Sequence, residues 1–264
     1  MEDTGESLNC PIIPYPGKQL LPGSVEHFFC LKPGIKDRYI YDLGLSTGEV
    51  MYECKGGMGL STERHILGLH DLIKKPYAES LIAEEFKTNF KGKWGKAKYY
   101  RTRRDLNQEL KNPSRRTFAK LYCLMASSGF IHKFDYSGNF KCEYFPHTLD
   151  TSEIKIKNKK LINSDFVING GDFSSFDTNL LTKRSLVYFH IPFPSTETKK
   201  KEVFTFFDGI NSKGHDFLIT SRLINRGRIE ESIQFWSSGY SSTVVPFSSS
   251  NNFSDIFITN FKYV

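Results

Sequence analysis

The chain has 264 residues, with 36 Lys and Arg against 29 Asp and Glu for a formal charge of +7, and is 39% hydrophobic and 14% aromatic. That composition can fill a core, which argues against disorder, collagen and coiled coil. No run approaches the ~20 apolar residues of a membrane helix, and MEDTGESLNC is acidic where a secretory leader is basic and then apolar, so a cytoplasmic protein with no membrane contact is expected.

In chain order, short β-prone runs bounded by Gly, Asp or Pro predict strands at residues 39–41, 66–69, 166–168, 186–189, 217–219 and 255–258. Apolar spacing predicts helices over residues 72–86 and 198–211. Strands alternating with helices predict an α/β fold, a largely parallel, doubly wound sheet. Residues 91–161 break this rhythm with two helix-like pieces, 97–110 and 114–125, followed by a turn-rich run. In that run Ser137-Gly138-Asn139 between aromatics reads as a hairpin tip. The expected organisation is a domain of residues 1–90 and 162–264 carrying an inserted subdomain, 91–161. The Ser/Asn-rich stretch 237–254 predicts a loop before the last strand.

The positive charge is concentrated. Residues 91–120 hold eleven Lys or Arg and two acids, a local +9, while the remaining 234 residues sum to −2. Trp94, Tyr99, Tyr100 and Phe118 are interleaved with those charges. Cations neutralise phosphates and aromatic rings stack on bases, so nucleic acid is the natural partner. A solvated helical face is the alternative.

Asp42-Leu43-Gly44-Leu45-Ser46-Thr47-Gly48 follows the first predicted strand, and ligands of doubly wound sheets bind at the carboxyl ends of strands. His70-Asp71 ends the second predicted strand, where an acid can accept from ribose hydroxyls; Asp71 can equally cap the helix that follows. The five cysteines, Cys10, Cys30, Cys54, Cys123 and Cys142, form no C-x-x-C pair and read as reduced thiols. The seven histidines show no H-x-x-x-H or H-x-H spacing, so no metal site is expected.

Several motifs occur in one order. Ile13-Pro14-Tyr15-Pro16-Gly17-Lys18-Gln19-Leu20-Leu21-Pro22 resembles the Y-x-G-(G/N)-K-x-x-L-L-P opening of Dam-type (D12 class) DNA adenine methyltransferases, a family that includes phage enzymes. Tyr99-Tyr100-Arg101 with Arg104-Asp105-Leu106-Asn107 is similar to its Y-x-x-L-R-x-x-(F/Y)-N helix. Ser128-Gly129-Phe130-Ile131 and Ser137-Gly138-Asn139-Phe140 resemble its hairpin, Gly171-Asp172-Phe173 its G-D-F, and Ile256 to Asn260 its final strand. The resemblance implies a Rossmann-like S-adenosylmethionine-dependent methyltransferase sheet in a bacterial or phage-infected host cytoplasm. It implies cofactor contacts from Tyr15, Gly17, Lys18, Asp42, Gly44, Asp71, Asp172 and Phe173, with Asp172 accepting from the adenine amine and Phe173 packing on the ring. It also implies that double-stranded DNA is held on its phosphates by Lys93, Lys96, Lys98, Arg101, Arg103, Arg104, Arg115 and Arg116. Lys133 and Asn139 of the hairpin would approach base edges.

The catalytic motif of that family, (D/N)-P-P-(Y/F), is replaced here by His190-Ile191-Pro192-Phe193. An exocyclic adenine amine has its lone pair delocalised, and attack on a sulfonium methyl needs acceptors that draw the amine toward tetrahedral geometry. Phe193 can stack on a flipped base and the Ile191 carbonyl can accept, but neutral imidazole at His190 brings no negative charge. Three functions stay open: a duplex-binding relative with weak or lost methyl transfer, an active adenine-N6 methyltransferase in which His190 accepts, and an assembly subunit with a protein partner.

Overall fold

A computed structural model describes residues 33–45, 51, 54–90, 95–126, 134–135, 137–144, 162, 165–191, 195–225, 227–246 and 253–261. The chain divides into two compact units, one of Met1–Asn9, Gly17–Thr62 and Asp165–Val264, the other of Cys10–Pro16 and Glu63–Ser164.

The first unit is built on a sheet with eight strands among the described residues: β1 Tyr39–Asp42, β2 Gly56–Ser61, β3 Asp165–Gly170, β4 Ser185–His190, β5 Asp216–Asn225, β6 Arg228–Ile229, β7 Ser241–Pro246 and β8 Phe253–Thr259. The order is β3-β2-β1-β4-β5-β8-β7, with the short β6 paired to β5. From β3 to β5 all pairings are parallel, while β8 runs antiparallel to both β5 and β7. This is a mixed α/β fold with a mostly parallel sheet, compatible with a Rossmann-like fold, and the strand order reverses between β1 and β4.

Alternation along the strands sends Tyr41, Val187, Phe189, Phe217, Ile219, Ile256 and Ile258 to one face. There they meet Val203, Phe204, Phe207 and Ile210 of a helix, Glu197–Ser212, the predicted 198–211 element. Its first turn is capped by the Thr196 hydroxyl, which accepts from the Lys199 N–H at 3.2 Å. The buried Lys200 ammonium reaches Glu197 at 2.6 Å, Glu230 at 2.7 Å and Ser232 at 3.1 Å, a fully bonded charge that ties this helix to the start of the next, Glu231–Ser237. Ile40, Leu186, Leu218 and Phe257 point the other way and are also buried.

The second unit is helical: α1 Arg64–Ile73, α2 Ala78–Glu85, α3 Lys96–Glu109 and α4 Arg115–Ala126. The helices of the first unit are accordingly α5, Glu197–Ser212, and α6, Glu231–Ser237. Since α1 and α2 both pack on α4, the insertion begins at Glu63 and not at residue 91.

Two expectations are corrected. Residues 66–69 form a turn of α1, not a strand: Ile66, Leu69 and Ile73 are buried at helical spacing, which a four-residue apolar run cannot distinguish from a strand. The helix expected over 72–86 is two helices, because Pro76 has no N–H to donate. Within the Ser/Asn-rich stretch 237–254, residues 241–246 form strand β7, and the segment between β7 and β8, where the loop is expected, lies outside the described residues.

Gly68 lets α1 approach α4 closely, since a Cβ there would lie 2.1 Å from the Phe118 ring. Gly68→Ala is therefore expected to lower stability by about 1–3 kcal/mol. Urea denaturation reads this, and an unchanged midpoint would contradict it.

Candidate functional site

In the first unit, chemistry gathers where the parallel strands end. Asp42 closes β1 with its side chain 2% exposed. Its Oδ1 accepts the Gly44 N–H at 3.2 Å. Burial pushes the carboxyl up to about 7, and the Gly44 bond only partly offsets this. The chain then turns tightly: the Leu43 N–H donates to the Tyr188 carbonyl at 2.9 Å and the Leu45 N–H to the Leu60 carbonyl at 2.7 Å. A Cβ on Gly44 would lie 2.9 Å from the Phe189 ring, so this glycine is required by packing against β4.

His190 ends β4. Its Nδ1 lies 2.9 Å from the Thr220 hydroxyl, which lies 2.9 Å from the Tyr188 hydroxyl. Thr220 has one proton to give, so it donates to at most one of these neighbours and accepts from the other. With Nδ1 committed there, an acceptor role for His190 falls to Nε2 and requires the Nδ1–H tautomer. The Ile191 carbonyl, the second expected acceptor, already takes the Ser221 hydroxyl at 3.4 Å.

Asp172 follows β3 and caps a short 3-10 turn, its Oδ1 accepting the Ser174 N–H at 3.1 Å. Its Oδ2 lies 3.4 Å from the Lys199 ammonium. Partial burial disfavours its charge, but the Ser174 N–H and Lys199 outweigh that and hold the carboxyl below its ordinary value. Phe173 is 3% exposed, in ring contact with Phe189 at 5.3 Å and Phe206 at 5.4 Å, and Lys199 stands over it at 4.4 Å.

Asp71 is displaced from its expected place. It lies on the exposed side of α1, paired with Lys75 at 2.9 Å, and not at a strand end. Residues 66–69, the strand it was assigned to, are helical; the second strand is β2, and the acid two residues beyond it along the chain is Glu63. The signal for Glu63 was present in the sequence: Met58 and Leu60 alternate before Ser61-Thr62-Glu63 and the helical apolar spacing from Ile66. Tyr15, Gly17, Lys18, Pro192, Phe193, Lys93 and Lys133 lie outside the described residues.

In the second unit α3 carries the hairpin. Tyr99, Arg103 and Asn107 recur every four residues and so share one face. The Tyr99 hydroxyl donates to the Cys142 carbonyl at 3.0 Å, and Arg103 Nη1 donates to the same carbonyl at 2.7 Å. The Asn107 amide donates to the Phe140 carbonyl at 3.2 Å and accepts from the Phe140 N–H at 2.8 Å. The tip is the turn that Ser137-Gly138-Asn139 predicts: Phe134 and Phe140 form an antiparallel bridge, and Gly138 takes the left-handed conformation at φ 76°. Asp135 accepts from the Asn139 N–H at 2.9 Å, the Asn139 amide at 3.1 Å and the Ser137 N–H at 3.0 Å. These bonds, the Asn139 N–H first, hold its carboxyl below the ordinary value. His65 of α1 stacks on Phe134 at 4.6 Å, with Nε2 3.2 Å from the Gly138 carbonyl.

The basic residues therefore divide by what they touch. Arg103 holds the hairpin, and Arg116 pairs with Glu84 and lies 3.8 Å from Glu85. Arg115 is exposed over the Tyr77 ring at 5.3 Å, and Lys98 is half-buried. Lys96, Arg101 and Arg104 are exposed on α3. Asn139 gives one amide N–H to the turn, so a base contact from it would use the second N–H or the side-chain oxygen. Asn107→Leu, which leaves both Phe140 backbone groups without their partner, is expected to cost about 1–3 kcal/mol. Equal denaturation midpoints for variant and parent would contradict the tie.

Among the described residues no group of three or more His, Cys, Asp or Glu is placed to hold a metal ion, and no helix is long and apolar enough to cross a membrane. No protein-family model matches the chain, and no curated protein matches it.

Proposed function

We propose that the chain is a Dam-like protein of methyltransferase fold that binds duplex DNA through α3 and the hairpin tied to it, with methyl transfer weak or lost. The observation that carries this reading is α3, which exposes Lys96, Arg101 and Arg104 while its Tyr99, Arg103 and Asn107 fix the hairpin backbone at residues 140–142. Phosphate contacts set register on a duplex, and a loop held rigidly beside them is placed to meet base edges. The strand order lends support. The parallel run 3-2-1-4-5 follows the dinucleotide-binding order up to β5, and β8 departs from it by running antiparallel between β5 and β7.

The cofactor the resemblance implies is S-adenosylmethionine. Of the acids the resemblance assigns to it, Asp42 stands at the end of β1. Asp172 and Phe173 as placed do not fit an adenine, because Ser174 and Lys199 take the carboxylate and the ring is buried. At the reacting centre, imidazole in place of a carboxylate or amide removes a strong acceptor, a loss of ~3 kcal/mol or near 100-fold in rate.

The test is incorporation of labelled methyl from S-adenosylmethionine into mixed-sequence DNA. Incorporation at least about 100-fold below that of an ordinary adenine methylase is expected. Turnover at the ordinary rate would overturn the proposal in favour of an active enzyme. Absent or salt-insensitive DNA affinity would favour the assembly role instead.

A further inference from the structure

Open α/β sheets bind ligands in the crevice outside the carboxyl ends of their strands, where the strand order reverses. Here that point lies between β1 and β4, with the loop after β3 on one side and the start of α5, which follows β4, on the other. Lys199, in the first turn of α5, reaches that loop. Its ammonium is 3.4 Å from Asp172 Oδ2 and 4.4 Å from the centre of the Phe173 ring. The adjacent lysine is used differently, since Lys200 turns inward to Glu197 and Glu230.

We propose that Lys199 is the specificity-determining residue of this crevice, shutting out adenosyl ligands by making the two contacts that an adenine would make. The inference rests on the proposed Dam-like reading, whose resemblance makes Asp172 and Phe173 the positions an adenine would contact. An exocyclic amine gives a proton to a carboxylate and a purine lies on a ring. An ammonium over the ring supplies a donor to the first and a cation to the second, and satisfies both groups without any ligand. With the Lys199 and Asp172 side chains 40% and 39% exposed, the contact is one that solvent weakens and a substitution can undo without harming the core.

The experiment is calorimetric titration of the full chain and of Lys199→Ala and Lys199→Arg with S-adenosylmethionine. Lys199→Ala is expected to bind at least about tenfold more tightly than the parent, and Lys199→Arg, which keeps a cation, to show no gain. Lys199→Ala binding no tighter than the parent, including no heat from either, would overturn the inference, as would an equal gain in Lys199→Arg. Duplex-DNA titration of the same samples separates the two levels: DNA affinity retained with no gain in ligand binding refutes the role of Lys199 alone. Loss of DNA affinity in the parent chain refutes the reading beneath it.

Discussion

Replacing Lys96, Arg101 and Arg104 together with alanine is expected to weaken duplex-DNA binding on the order of 100-fold or more at low salt. The slope of log affinity against log salt should become shallower by about 2 to 3, close to 0.9 for each phosphate no longer neutralised. At about 100° per residue Arg104 and Arg101 lie about 80° and 140° around the helix from Lys96, whereas Tyr99, Arg103 and Asn107 lie within about 60° of it, so Arg101 and Arg104 turn away from the hairpin and Lys96 sits exposed at the start of the hairpin's own face. Arg103 and Arg116 are tied differently, to the Cys142 carbonyl and to Glu84, so their loss should act first on stability. Fluorescence anisotropy on several duplexes reads the effect. The weakening should be equal across sequences, since phosphates carry no sequence information. Unchanged affinity in the triple variant would show that α3 does not face DNA.

Asp42→Asn is expected to stabilise the protein above neutral pH by as much as about 4 kcal/mol. Burial raises this carboxyl from its ordinary 3.8 to about 7 in the folded chain. An acid whose folded value is raised loses stability as pH climbs from its unfolded value to its folded one, here between about 4 and 7, and bears the full cost above that window. Asparagine has the same shape, keeps an oxygen for the Gly44 N–H, and carries no charge to bury. Urea denaturation at pH 5 and pH 8 checks the sign: the advantage of the variant should be larger at pH 8. An advantage that is equal at both, or absent, would mean that Asp42 does not titrate in this window.

The parts of the fold legible in the sequence are those whose signal is local. Strands β1, β3, β4, β5 and β8 each contain a contiguous β-prone run, and α3, α4 and α5 each carry helical spacing of their own. Strand β2, Gly56–Ser61, was hidden because its glycines have no β-propensity of their own; a Cβ on Gly57 would lie 2.3 Å from the Ile40 carbonyl oxygen. Missing it moved the second strand to residues 66–69 and carried the ribose acid to Asp71, where helix α1 places an exposed pair with Lys75. The start of the insertion was hidden for another reason: α1 and α2 look like parts of an alternating fold until their partner, α4, is known. At the site, Asp42, Gly44, His190 and Ile191 were legible because they follow strands directly. Lys199 was not, because in the run Lys199-Lys200-Lys201 only tertiary placement distinguishes the cation that meets Asp172 from the one that meets Glu230.

The most direct measurement is the affinity of the purified chain for a short mixed-sequence duplex across about 50 to 200 mM salt. Log affinity should fall linearly with log salt, at a slope of about −2 to −3 or steeper, with the three α3 cations on phosphates. No detectable binding at the lowest salt, or an association that salt does not weaken, would contradict a DNA-binding role.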